Sequence, residues 1–271
     1  MNKDGPSTLE NPHFSYASHY WGFVIIRTTY TPESDIQWPV AMERLSDSLR
    51  LEMKEKYDAS TADQERVIEK FRNLIVDDEA LYDRMPMNDA ILRFDDIINE
   101  QYNVTLKYSS PEHFEKTGNF RIPELVEQSL AESDPEVKKD LLQASYWRLN
   151  SYICLVMDEE SLNDLVELPV ELPHFDVTSM MFEFKEDPHS PPPFPRTAYI
   201  KVAMQHSDFD LMSRKLCYSA EDPDWYAQWA KWAVHTGLAQ MHASYDGCHF
   251  DAGMDLELIY GQPYVDIFGQ F

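Results

Sequence analysis

Glycine, cysteine and basic residues are all scarce in this chain of 271 residues, and each shortage excludes something. Only 8 glycines are present, and no GxGxxG or P-loop pattern runs through them, so no phosphate-cradling turn of the nucleotide-binding kind is expected. The three cysteines, Cys154, Cys217 and Cys248, lie far apart without CxxC spacing. They argue against a disulfide framework or a zinc ribbon and suit reduced thiols in a cytoplasmic protein. Lys and Arg number 23 against 48 Asp and Glu, giving a formal net charge of -25 whose long-range field repels polyphosphates and anionic membranes. General binding to DNA is therefore not expected, although net charge does not forbid a local cationic groove. GxSxG and HExxH are missing too, which removes the nucleophile elbow and the zincin site. No segment approaches the roughly 20 apolar residues of a membrane helix. Met1 to Tyr16 has no apolar run, so an ordinary secretory signal is not expected either.

What the chain does have is material for a core, with 43% hydrophobic and 13% aromatic residues. Residues 1–18 are polar and read as a flexible segment, and 19–271 as a single α+β domain built on a mixed sheet with packed helices. Trp21 to Tyr30 is rich in β-branched and aromatic residues and predicts the first strand. Thr31-Pro32-Glu33 has the order of a helix start, but Pro39 places the beginning of the main helix near Val40, with its end near Lys56. Val67, Ile68, Phe71, Leu74 and Ile75 recur at helical spacing and predict a second helix from Thr61 or Asp63 to Val76. A third, capped by Asn88, runs to about Tyr102. Others start at Pro123 and at Asp134-Pro135. Tyr152 to Met157 is a continuous apolar run that predicts a central strand, with Asp158 capping a helix over Glu159 to Val166. Strands are expected at Met180 to Lys185 and Ala198 to Met204, with a stiff proline loop, His189 to Pro195, between them. Asp222-Pro223 opens an expected helix with Trp225, Trp229 and Trp232 on one face. Leu256 to Phe271 is expected to close a sheet edge or dock on the core.

Several constellations bear on chemistry. Asp96 and Glu100 stand four apart in a predicted helix and so share a face, where they suit proton transfer or a solvated acidic surface; Asp95 is adjacent but points elsewhere. Asp158, Glu159 and Glu160 follow a buried strand, and ligands of α/β sheets gather beyond the carboxyl ends of strands; helix capping explains the same acids. Arg27, at the end of the first strand, suits either a ligand carboxylate or phosphate or an internal salt bridge. His235, His242 and His249 recur every seven residues, too far apart on a helix for one zinc ion. The tryptophan stripe reads as a core face or as a stacking wall.

Gly22 to Thr31, reading GFVIIRTTYT, and Tyr152 to Leu162, reading YICLVMDEESL, are similar to segments of a family of filamentous-fungal proteins. Within that wider group, the chain resembles the arginine-containing cyclodipeptide synthases, cytosolic enzymes of specialised metabolism that join two aminoacyl groups taken from charged tRNAs. That family carries an acidic DDxxE motif, and the nearest match is Asp95-Asp96-Ile97-Ile98-Asn99-Glu100, which reads DDxxxE and differs by one residue. The resemblance implies Asp96 and Glu100 as general acid and base, with Asp95 beside them. It also implies aminoacyl-tRNA partners including arginyl-tRNA, and no metal or organic cofactor, because an aminoacyl ester is already activated. Arg27, Asp158 and Glu159 are then candidates for holding the substrate. The competing reading, from a different class, is a non-catalytic ligand- or protein-binding protein that uses the proline loop and the tryptophan face.

Overall fold

A computed structural model describes residues 19–57, 59–168, 199–204, 229–233 and 238 of the chain. Its centre is β1 (Tyr20–Arg27), whose alternate side chains enter two separate cores. Phe23 and Ile25 pack on one face of the sheet with Ala41 and Leu45, while Val24 and Ile26 pack on the other with Ile91 and Phe94. A strand buried on both faces must be apolar at every position, which is why this one shows no alternation in sequence.

The chain leaves β1 through Thr28 to Thr31 into α1 (Pro32–Tyr57). The helix thus starts eight residues before the expected Val40, and Pro39 lies inside it. Thr31 accounts for the early start. Its hydroxyl accepts from the Ser34 backbone N–H at 3.0 Å, and the Ser34 hydroxyl accepts from the Thr31 N–H at 2.8 Å, a reciprocal cap ahead of Pro32. In the second turn Pro39 forfeits one helical hydrogen bond, and the packing of Ala41, Leu45 and Leu49 outweighs that loss.

The expected single helix over Thr61–Val76 is in fact two elements. α2 (Thr61–Lys70) ends where Phe71 turns extended, and β2 (Leu74–Val76) then pairs parallel with β1, Ile25 opposite Ile75. Adjacent β-branched residues and an edge of β1 in need of backbone partners override the helical spacing. Next come α3 (Glu79–Tyr82) and α4 (Met87–Leu106). Asn88 lies within α4 and does not cap it. The cap position is Pro86, with no side-chain cap bond. The chain continues through α5 (Pro111–Thr117), β3 (Phe120–Arg121), α6 (Pro123–Ala131) and α7 (Pro135–Ala144). Asp134 caps α7 as its sequence order predicts.

β4 (Tyr146–Met157) is twice as long as the apolar run that announces it. It pairs parallel with β1, with a register shift between Gly22 and Val24. Asn150 fills that irregularity, its side-chain oxygen accepting from the N–H groups of Tyr152 and Ile153 at 3.0 Å each. α8 (Glu159–Val166) follows, then β5 (Tyr199–Met204) and β6 (Trp229–Ala233), both antiparallel. Among the described residues the sheet has 6 strands in the order β2-β1-β4-β5-β6, with β3 beside β4. This is the expected α+β architecture on a mixed sheet.

One expectation fails outright at β6. Trp229 and Trp232 belong to a strand, Trp232 opposite Ile200 and Trp229 opposite Ala203, and not to a helix. Tryptophan favours strands as readily as a helical stripe, and pairing with β5 decides between them. The proline loop, the strand at Met180 to Lys185, the three histidines and the C-terminal tail lie outside the described residues.

Candidate functional site

The parallel strands β2, β1 and β4 end together, and their carboxyl ends collect the charge. β1 delivers Arg27, opposite Met157 of β4, and the Thr28 N–H continues the ladder by donating to the Met157 carbonyl at 2.9 Å. β2 delivers Asp77 and Asp78, and β4 delivers Asp158, which caps α8 by accepting from the Ser161 N–H at 3.0 Å. Antiparallel β5 brings Lys201 to the same edge, in register with Val156.

Two cations are each clamped by two carboxylates at this edge. Arg27, buried to 6% side-chain exposure, pairs with Asp35 and reaches Asp77 at 3.7 Å. Its Nε donates to the Thr29 carbonyl at 2.9 Å and one Nη to the Ser34 hydroxyl at 3.1 Å. The rings of Tyr30 and Trp38 lie 4.6 and 5.0 Å from the guanidinium carbon. Lys201 pairs with Asp158 and, at 3.0 Å, with Glu160. Burial works against the Lys201 charge, but Asp158 and Glu160 outweigh it, and the ammonium is held above its ordinary range. Burial, reinforced by the Asp77 carboxylate, pushes the Tyr30 phenol up, so it stays a neutral group. That hydroxyl donates to the Arg27 carbonyl at 3.1 Å and accepts from the Asp78 N–H at 3.0 Å, stitching β1 to the turn after β2.

The two connections at this edge diverge. After β1 the chain passes to α1 on one face; after β2 it passes to α3 and α4 on the other, as their separate core partners require. Adjacent parallel strands whose connections leave in opposite directions create the crevice where ligands of α/β sheets sit. The Arg84 N–H donates to the Thr28 carbonyl at 2.9 Å and so fastens the far side of that crevice to the end of β1.

Arg27, Asp158 and Glu159 therefore meet at one edge. Arg27 is committed to Asp35 and Asp77, an internal role, and Glu159 is exposed in the first turn of α8. Asp96 and Glu100 do share one face of α4, and that face is exposed. Arg93 stands between them, 3.3 Å from Asp96 and 3.1 Å from Glu100. The Tyr82 hydroxyl, 3.0 Å from Arg93 Nε, and Glu100 hold that guanidinium charged. Asp95 turns towards the sheet, where its charge adds to burial in pushing the enclosed Cys154 thiol up, an arrangement that keeps the thiol unreactive.

Sequence reasoning missed Asp35, Asp77 and Lys201. A signal for Asp77 was present: Leu74-Ile75-Val76-Asp77-Asp78-Glu79 has the same strand-then-acid order as Leu155-Val156-Met157-Asp158-Glu159-Glu160. Reading the first of these as helix hid the correspondence. Comparison of the chain with protein-family models, curated proteins and solved structures gave no match.

Proposed function

We propose that the chain is a cofactor-independent aminoacyltransferase that draws an arginyl group from its tRNA and closes it with a second aminoacyl group into a cyclic dipeptide. The observation that carries this reading is the acid excess at the carboxyl edge. There Arg27 and Lys201 face Asp35, Asp77, Asp158 and Glu160, with Asp78 and Glu159 adding to it. A surplus of carboxylates beside a crevice attracts a guanidinium and can grip it through paired hydrogen bonds.

The chemistry asks little else of the protein. The α-amine of one aminoacyl group attacks the ester carbonyl of the other, forming an amide bond and breaking the bond to the ribose oxygen. A carboxylate takes the amine proton, and a carboxylic acid returns one to the ribose oxygen. A second such step closes the ring and releases the second tRNA. The resemblance assigns the proton transfers to Asp96 and Glu100, and the carboxyl edge supplies orientation, which is worth much of the barrier when the ester is already activated.

One observation favours the rival reading of a non-catalytic binding protein. Arg93 ties Asp96 and Glu100 together on an exposed helix face, an arrangement that also serves plain solvation. Mass spectrometry of extracts from a heterologous host separates the two. The enzyme yields a new arginine-containing cyclic dipeptide that disappears with Asp96→Asn, while no new product from folded protein overturns the synthase reading in favour of the binding protein.

A further inference from the structure

The amino-terminal ends of the same strands carry the opposite chemistry. Lys70 Nζ lies 4.6 Å from the centre of the Tyr20 ring, and the Arg72 guanidinium lies 5.9 Å from both Tyr20 and Trp147. Further across the sheet, the Arg121 guanidinium sits 3.6 Å over Tyr146, whose ring also stacks on His113 at 5.5 Å. The pairs Tyr20–Trp147 and Arg121–Tyr146 place these groups in one row over β1, β4 and β3.

The row is built on fixed backbone. The Arg72 N–H donates to the Trp21 carbonyl at 2.8 Å, the Arg72 carbonyl accepts from the Trp147 indole at 3.0 Å, and Asn73 Oδ1 accepts from the Phe23 N–H at 2.9 Å. Gly22 makes room for this approach, since a Cβ there would meet the Arg72 carbonyl oxygen at 2.3 Å.

Carboxylates neutralise the row only in part. Lys70 and Arg121 form no ion pair among the described residues, and Arg72 pairs at 3.3 Å with Glu124, itself 65% exposed. Arg121 is buried and donates to Ser109 Oγ, the Leu142 carbonyl and Ser145 Oγ, groups just past the ends of α4 and α7 or in the last turn of α7. Helix carbonyl ends offset the charge of that enclosed guanidinium, which fixes the Tyr146 ring in the row and leaves Lys70 and Arg72 as its solvent-facing cations. Cations resting on aromatic rings often do no more than cover them. Ring covering explains Lys70 taken singly, but not Lys70 and Arg72 side by side on aromatic rings within a chain of net charge -25.

We infer that this amino edge receives the phosphodiester backbone of tRNA, a partner whose identity rests on the reading proposed above. β1 separates the two edges by about 26 Å at the usual strand rise. An RNA of tRNA size spans that distance, with its backbone on the cationic row and its charged 3′ end at the acidic crevice.

The test is fluorescence anisotropy of a labelled arginine-accepting tRNA at several salt concentrations. It compares the wild-type chain with Lys70→Ala/Arg72→Ala, and with Lys70→Gln/Arg72→Gln should the alanine variant fail to fold. Affinity is expected to fall about tenfold, the slope of log affinity against log salt to flatten by about one to two, and Lys70→Arg/Arg72→Lys to restore both. Unchanged affinity and slope, or no tRNA binding by the wild-type chain, overturns the inference. The synthase reading fails separately: RNA binding that depends on Lys70 and Arg72 without any cyclic dipeptide sinks that reading and leaves the surface. Product formation with RNA binding insensitive to the substitutions sinks the surface alone.

Discussion

The two ends of the parallel strands differ in how they treat charge. At the carboxyl edge two cations are enclosed by acids, Arg27 by Asp35 and Asp77, Lys201 by Asp158 and Glu160. At the amino edge Lys70, Arg72 and Arg121 rest on aromatic rings, and Glu124 is the one carboxylate paired with them among the described residues. A net charge of -25 hides this difference, because it sums over a surface whose two ends suit opposite ligands. The carboxyl edge is held by ionic and hydrogen-bonded links, the amino edge by close backbone packing. Their responses to substitution should differ accordingly.

The largest effect belongs to the amino edge. Gly22→Ala places a Cβ against the Arg72 carbonyl oxygen, and backbone on both sides leaves little room to yield. A loss of about 3 kcal/mol is expected in urea unfolding, as for a severe case of overpacking. A loss below about 1 kcal/mol would show that the segment 71–73 is not fixed and would weaken the case for a preformed cationic row.

Arg27→Met at the carboxyl edge comes next. It removes the bonds to Thr29 and Ser34 and leaves Asp35 and Asp77 facing each other without a cation. Because both acids reach solvent, a cost of about 2 kcal/mol is expected, below that of breaking a fully buried pair. High salt should shrink this cost by screening the carboxylates and leave the cost of Gly22→Ala unchanged. Equal salt sensitivity of the two variants would erase the contrast between the edges.

Lys201 gives a smaller effect with a defined sign. Its ammonium is held above the ordinary lysine range, so its stabilisation is complete below the unfolded value near ~10.4 and is lost as pH rises through the folded value. The stability difference between wild type and Lys201→Met should therefore be constant from neutral pH to about pH 10 and close above it. Urea midpoints across that range measure it, and a difference that widens with pH would mean that Asp158 and Glu160 do not hold the charge. The smallest effect is expected for Asp96→Asn and Glu100→Gln, within about 0.5 kcal/mol, because both side chains are exposed. Loss of product in variants so close to wild-type stability would separate chemistry from folding.

The strands of the core were legible where a run of apolar residues met a turn signal, as at Trp21 to Arg27 and Tyr152 to Met157. Caps were legible where a polar residue preceded proline, as at Asp134. Local order misleads where a neighbour decides the outcome. Leu74 to Val76 and Trp229 to Ala233 both fit helical spacing, yet each completes a sheet by pairing with a strand distant in sequence. Pro39 misleads in the other direction, because packing along α1 outweighs one missing hydrogen bond. The site was partly legible for the same reason. Arg27, Asp158 and Glu159 were visible from their own strand ends, whereas Asp35, Asp77 and Lys201 join them only through the pairing of β1, β2, β4 and β5. Asp96 and Glu100 share a helix face as their spacing requires, but spacing carries no information about Arg93, whose position depends on Tyr82.

The most direct test of the proposed function is reconstitution: purified protein, arginyl-tRNA labelled on arginine, and a mixture of other aminoacyl-tRNAs, with no nucleotide, metal or organic cofactor added. The account predicts label in a cyclic dipeptide, with Asp96→Asn giving none. Label remaining on tRNA or released as free arginine, with the protein folded and both tRNA pools charged, would contradict it.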